Sequence, residues 1–283
     1  MSDKNTFFRQ KLTLNVQGRL LDLTRPQVMG IVNITPDSFY DGGQTISIKD
    51  ALSQTARMLE EGATFIDLGA YSSRPNAVHI SAEEETERLI PALKAIVKEF
   101  PDAIISIDTF RAAVARAAVN EGAHIINDIS GGEMDGGMFV TAAELRVPYI
   151  LMHMKGTPQT MISESSYTDV FDEVFQYMIT RIHRLKELGV MDIIIDPGFG
   201  FAKTADQSFE LLGKLDRFKL LELPVLAGMS RKSMICKTLN TTPEFALNGT
   251  TAANTIALMK GAKILRVHDV KAAVEAIKIV EKL

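Results

Sequence analysis

Only one cysteine, Cys236, occurs in 283 residues, which excludes an intrachain disulfide framework and any cysteine-built zinc site and suits a reducing compartment. Cys236 itself reads as a small core residue. Positive charge is not in excess: 31 Lys and Arg face 35 Asp and Glu, a net charge of -4, which argues against gripping nucleic acid by phosphate neutralisation. No window approaches the roughly 18 apolar residues of a membrane span. The opening MSDKNTFFRQK lacks an apolar stretch of signal-peptide length. The expectation is a cytoplasmic protein with neither nucleic-acid nor membrane partners. With 46% hydrophobic and 23% charged residues, disorder is unfavoured and a sizeable core can form.

After a hairpin-like opening over Lys11 to Leu23, with Gln17-Gly18 at the turn, the chain falls into eight units of an apolar run followed by an amphipathic stretch. The runs are QVMGIVN, TFIDLG, AIISIDT, HIIND, PYILMHM, DIIIDPG, PVLAGMS and KILRVHD. Each is short, rich in Ile, Val and Leu and without polar alternation, as a parallel strand buried on both faces requires. Helices are expected over Ile48 to Glu61, Glu83 to Phe100, Arg111 to Glu121, Gly136 to Arg146, Val170 to Leu188, Gln207 to Phe218, Pro243 to Lys260 and Val270 to Leu283. Strand units open alternately on Pro26, Gly62, Pro101, Gly122, Pro148, Gly189, Pro224 and Gly261. Glycine suits the left-handed residue after a helix, and proline the start of a strand. The mean spacing is about 34 residues, room for one strand, one helix and two loops. Eight such units predict a single (β/α)8 barrel of the α/β class, with residues 1–24 a hairpin closing its bottom and 25–283 the barrel. An open doubly wound sheet is the alternative, but no GxGxxG follows the first strand.

Barrel chemistry sits at the C-terminal ends of the strands. Those ends carry Asn33, Asp67, Asp108, Asn127-Asp128, His153, Asp196, Ser230-Arg231-Lys232 and Arg266-His268-Asp269. Helix capping is the bland explanation of such residues; it suits Asp269 well and Asp67, Asp108 and Asp196 less. Two βα loops are long: ITPDSFYDGGQTIS, with Asp37 and Asp41, and GAYSSRPNAVHIS, with Ser72, Ser73, Arg74 and Pro75. Long loops on a compact barrel are usually lids or substrate contacts. Arg74, Lys232, Arg266 and His268 at one mouth of an acidic chain imply an anionic small molecule, phosphate or pyrophosphate, unless they serve as structural ion pairs. GMSRKS is not a phosphate-binding P-loop, and the histidines form no HExxH set.

Taken in order, MGIVNITPDSFYDGG, IDLGAYSSRP, SIDT, GAHIINDISG, LMHMKGTP, DPGFGF, GMSRKSM and RVHDV resemble the dihydropteroate synthases, transferases of folate biosynthesis, from about Leu14 to the C-terminus. The resemblance implies a homodimeric, magnesium-assisted, sulfonamide-targeted barrel. It would join 6-hydroxymethyl-7,8-dihydropterin pyrophosphate to p-aminobenzoate and release 7,8-dihydropteroate and pyrophosphate. Matched position by position, it implies a pterin site of Asp108, Asn127, Met152, Asp196, Phe201 and Lys232, with Asp196 a bidentate acceptor for the amino-pyrimidinone edge. Asn33, Arg74, Arg266 and His268 would hold the pyrophosphate, Asn33 also contacting the metal. Ser73, Arg74, Pro75, Phe199 and Ser233 would line the p-aminobenzoate site. The catalytic set is then Asp108, Asp196, Lys232, Arg74, Arg266 and His268.

One departure stands out: where the family often reads GGESTRP, this chain has Tyr71 for Glu and Ser73 for Thr, which bears on the loop's internal pairing. Two other readings remain open here. A pterin-dependent methyltransferase acting on a corrinoid protein would not need SSRP or the Arg266 and His268 pair, and a non-catalytic pterin-binding paralogue would tolerate loss of Asn33, Arg74, Lys232 or His268.

Overall fold

The computed structural model describes residues 10–34, 47–72, 79–161 and 163–283. It opens with an antiparallel hairpin, β1 (Thr13–Val16) and β2 (Arg19–Asp22). Gln17 and Gly18 both take positive φ at its two-residue turn, the conformation that matches strand twist.

Eight parallel strands follow: β3 (Gln27–Asn33), β4 (Phe65–Gly69), β5 (Ile104–Asp108), β6 (Ile125–Asp128), β7 (Tyr149–Met152), β8 (Ile193–Asp196), β9 (Leu226–Ala227) and β10 (Ile264–Val267). They pair in chain order, with β10 returning beside β3. The remaining seam, β8 to β9, is closed by a bridge between Ile195 and Val225 and by the Ile195 amide donating to the Pro224 carbonyl at 3.0 Å. The sheet is therefore a barrel.

Helices alternate with the strands: α1 (Ile48–Glu60), α2 (Ala82–Glu99), α3 (Ala112–Asn120), α4 (Met138–Leu145), α5 (Val170–Glu187), α6 (Ala205–Gly213), α7 (Ser233–Leu239), α8 (Leu247–Met259) and α9 (Val270–Val280). The chain is also more broken than its periodicity predicts. Gln207 to Phe218 divides into α6 and a 3-10 segment, Leu215–Leu221; Pro243 to Lys260 divides into a 3-10 turn, Pro243–Phe245, and α8; and α7 is additional. Gly62, Gly122, Gly189 and Gly261 all adopt positive φ between helix and strand, as their spacing predicts.

Strand alternation sorts the side chains. Val32, Ile66, Ile107, Ile126, Leu151 and Ile195 point outward into the main core beneath the helices. Met29, Phe65, Ile104, Ile125, Ile150, Ile194, Leu226 and Ile264, one from each barrel strand, form a second cluster with Leu14, Val16 and Leu23 of the hairpin segment. The lower end of the barrel is thus filled with apolar side chains, and the opposite end is left for polar ones. Among the described residues no helix is long and apolar enough to cross a membrane.

Candidate active site

Two residues beyond the apolar layer, the same inward face reaches Asp67, Asn127, Asp196 and Arg266; two beyond that, it reaches Asn33, Gly69, Asp108 and His268. Strand register sets Asn33 beside Gly69, Gly69 beside Asp108 and Asp108 beside Asn127. The Arg266 guanidinium spans both levels, Nε donating to Asp67 Oδ2 and Nη2 to Asp108 Oδ2, each at 2.6 Å. Asn127 Nδ2 donates to the same Asp67 oxygen at 3.0 Å. Asp67 thereby orients both the arginine and the carboxamide. Burial pushes the Asp108 carboxyl up to about 7, opposed by Arg266 and assisted by the neighbouring charge of Asp67.

On the facing strands, Asp196 ends β8 and Lys232 precedes α7. Burial raises the carboxyl of Asp196 while Lys232 and the Gly198 amide, which donates to its Oδ1 at 2.8 Å, oppose the shift. Burial lowers the Lys232 ammonium to about 8, opposed by Asp196. Gly228 keeps the space between this pair open: a Cβ there would lie 3.6 Å from Asp196 Oδ2 and 3.8 Å from Lys232 Nζ. Lys232 Nζ donates to the Phe199 carbonyl at 2.7 Å and stands 4.5 Å from the centre of the Phe201 ring. Phe201 and Met152 belong to an apolar rim with Tyr71, Phe110, Ile129 and Met154. A flat, polarisable surface beside a carboxylate and an ammonium suits a hydrogen-bonding heteroaromatic ring. Phe199, expected on the p-aminobenzoate wall, is placed differently: its ring is fully buried in the main core, and its carbonyl reaches the site.

The remaining strand ends separate by what they touch. His268 lies just past β10, with Nδ1 3.0 Å from Ser230 Oγ. Ser233 is exposed at the start of α7. Asp128 faces away from the mouth, its carboxylate taken by Ser130, Gly132 and Tyr149. Arg231 binds Asp269 bidentately, both contacts at 2.8 Å, so Asp269 holds an ion pair where a helix cap was expected. Ser73, Arg74 and Pro75, with Asp37 and Asp41 of the first long loop, lie outside the described residues. Tyr71, the family departure, accepts a hydrogen bond from Gln159 at 2.8 Å and meets His79 Nδ1 at 3.1 Å. It joins one end of the second loop to the other and to the segment after β7.

For a metal, Asn33 offers a neutral amide oxygen at the end of β3. Gly69 leaves a gap beside it, where a Cβ would sit 3.7 Å from Asn33 Oδ1 and 3.2 Å from Asp108 Cβ. Among the described residues no group of three or more His, Cys, Asp or Glu could hold a bare cation. One neutral oxygen fits a magnesium ion that keeps most of its waters and is shared with a phosphate.

Lys203 was missed by sequence reasoning. Its ammonium is buried among His153 and the carbonyls of the segment after β8.

A family model described as pterin binding enzyme matches residues 29–268. Dihydropteroate synthase of Escherichia coli strain K12 is 47% identical over 272 residues, 95% of this chain and 96% of its own length. The chain belongs to the dihydropteroate synthase family. Among solved members, Yersinia pestis dihydropteroate synthase in a sulfonamide drug complex superposes with a TM-score of 0.91 at 43% identity, covering 95% of this chain and 98% of that one. Xanthomonas albilineans dihydropteroate synthase in complex with 7,8-dihydropteroate gives 0.84 at 36% identity, covering 96% and 98%. The dihydropteroate synthase barrel is therefore shared over nearly the whole chain.

Proposed function

We propose that this chain catalyses the dihydropteroate synthase reaction, joining p-aminobenzoate to 6-hydroxymethyl-7,8-dihydropterin pyrophosphate with release of pyrophosphate and 7,8-dihydropteroate. The observation that carries this reading is the meeting of Asp108, Asn127, Asp196, Lys232 and Arg266 inside one end of the barrel.

Asp196 accepts the paired N–H donors of the pterin's amino-pyrimidinone edge, Asn127 meets a ring nitrogen, and Lys232 donates toward the carbonyl and N5 side. Met152 and Phe201 pack against the ring. Departure of pyrophosphate leaves a cationic pterin methylene, which the carboxylates of Asp108 and Asp196 stabilise in a water-poor site. Arg266, already balanced by Asp67 and Asp108, sits where it steadies the carboxylates as much as the departing anion; His268 and Arg74 complete the anion site. Asn33 would hold a magnesium ion, which would supply further positive charge to the leaving group. Ser73, Arg74, Pro75 and Ser233 receive p-aminobenzoate, whose arylamine attacks the methylene carbon without a dedicated base and then loses its extra proton to the released pyrophosphate or to water. A sulfonamide would compete for that place.

The interaction partners are thus small molecules together with a second copy of the chain, and the half-buried, unpaired Cys236 is consistent with a cytoplasmic setting. Pyrophosphate release measured with and without p-aminobenzoate tests the reaction. Release accelerated by p-aminobenzoate and matched by 7,8-dihydropteroate formation is expected; no release, or a rate indifferent to p-aminobenzoate, contradicts the proposal. Asp196→Asn is expected to lower kcat/KM for the pterin substrate by about 100-fold, the cost of one preorganised charged contact.

A further inference from the structure

Lys203 touches four acceptors from within the protein: His153 Nδ1 at 2.9 Å, the His153 carbonyl at 3.3 Å, and the carbonyls of Gly198 and Phe201, each at 3.0 Å. An ammonium has three N–H donors and no acceptor; the three carbonyls are fixed acceptors for Lys203 Nζ, while burial lowers the Lys203 ammonium and the charge of Asp196 opposes that shift. Burial holds the His153 imidazole down to about 2, which leaves it neutral and free to accept on Nδ1.

The segment this side chain clasps does not follow ordinary backbone preferences. Gly198, Gly200 and Ala202 have φ of 72°, 76° and 47°, and a Cβ on Gly198 would lie 2.0 Å from the His153 carbonyl oxygen. Such a path persists only when its surroundings over-determine it. The same few residues also serve the mouth: Gly198 donates its amide to Asp196, and Phe199 lends its carbonyl to Lys232. Each member of the Asp196 and Lys232 pair is therefore one hydrogen bond from a segment that Lys203 ties to the end of β7.

We propose that Lys203 is a positioning residue for the pterin: by pinning the Gly198 and Phe201 carbonyls to His153, it fixes the placement of Asp196 and Lys232 against the ring. This rests on the pterin-binding reading above. It is specific in direction, because the clasped segment hydrogen-bonds both members of the pterin pair, through the Gly198 amide and the Phe199 carbonyl.

The test compares the wild-type full chain with Lys203→Met and Lys203→Gln. Equilibrium binding of pterin pyrophosphate is followed by pterin fluorescence, steady-state kinetics are run for both substrates, and a melting curve is recorded for each protein. In Lys203→Met, Kd and KM for pterin pyrophosphate should rise about tenfold or more while KM for p-aminobenzoate stays within about twofold. Unchanged pterin affinity in the folded variant, or a loss shared equally by both substrates and tracking the folded fraction, overturns the proposal. If the methionine variant does not fold, Lys203→Gln, which keeps two N–H donors, decides: selective pterin weakening of about threefold or more supports it, and equal affinity overturns it. A wild-type chain that neither binds nor turns over the pterin would instead defeat the functional reading.

Discussion

Asp108 and Lys232 are useful in opposite protonation states, and burial moves each toward neutrality. Asp108 stabilises a cationic methylene only when ionised, so kcat/KM should fall as pH drops through about 7. Lys232 donates best as an ammonium, so kcat/KM should fall again as pH rises through about 8. A narrow bell is expected for the free enzyme, and Asp108→Asn should lose the acidic limb together with most of the rate. Stability follows with its own sign. The folded carboxyl binds its proton more tightly than the unfolded one, so the Asp108 contribution diminishes as pH rises from 3.8 towards about 7. Denaturant titrations at several pH values should show a weaker decline over that window in Asp108→Asn; an identical pH dependence would exclude this site as its source.

At this scale much of the mouth was legible in the sequence. Asn33, Asp108, Asn127, Asp196, Arg266 and His268 sit at strand ends, and a period of two puts each on the inward face. Lys203 was not legible, since its partners are three carbonyls and a histidine 50 residues away in the chain. The ring of Phe199 was misplaced because the left-handed turn at Gly198 and Gly200, rather than any spacing, decides which way it points.

Among the elements, the hairpin isolates stability from chemistry. Leu14 is fully buried against the inward residues at the bottom of the barrel strands, while the polar groups occupy the other end. Leu14→Ala should therefore cost about 2–5 kcal/mol of unfolding free energy and leave kcat/KM within about twofold wherever the protein is folded. Urea melts alongside kinetics at low denaturant would check this, and a folded variant with much reduced turnover would show that bottom and mouth are coupled. The eight strands and their alternating Pro and Gly openings were readable because buried parallel strands are continuous apolar runs. The additional helix α7 was not, because SMICKTL is too short to display a helical period. Gly213, a poor helix former, ends α6 where the apolar pattern alone runs on to Phe218.

For the whole molecule, α8 carries the most information. Over Leu247–Met259 it contains no charged residue, although Asn248, Ala252, Ile256 and Met259 form an exposed stripe along it. Phe245, just before it, is 78% exposed, and Met259 65%. A surface helix normally shows charges on its outer face, and one that shows small and apolar groups there fits a surface destined for burial. On the proposal made above that the chain pairs with a second copy, this face is where a closed two-fold pair would cover one apolar patch with another. Sedimentation equilibrium should return a mass near twice the 31.1 kDa of the chain. The double substitution Ile256→Asp and Met259→Asp sets two like charges against two more across such an interface and should shift the species to a monomer. A wild-type monomer at micromolar concentration, or a dimer indifferent to both aspartates, would place the interface elsewhere.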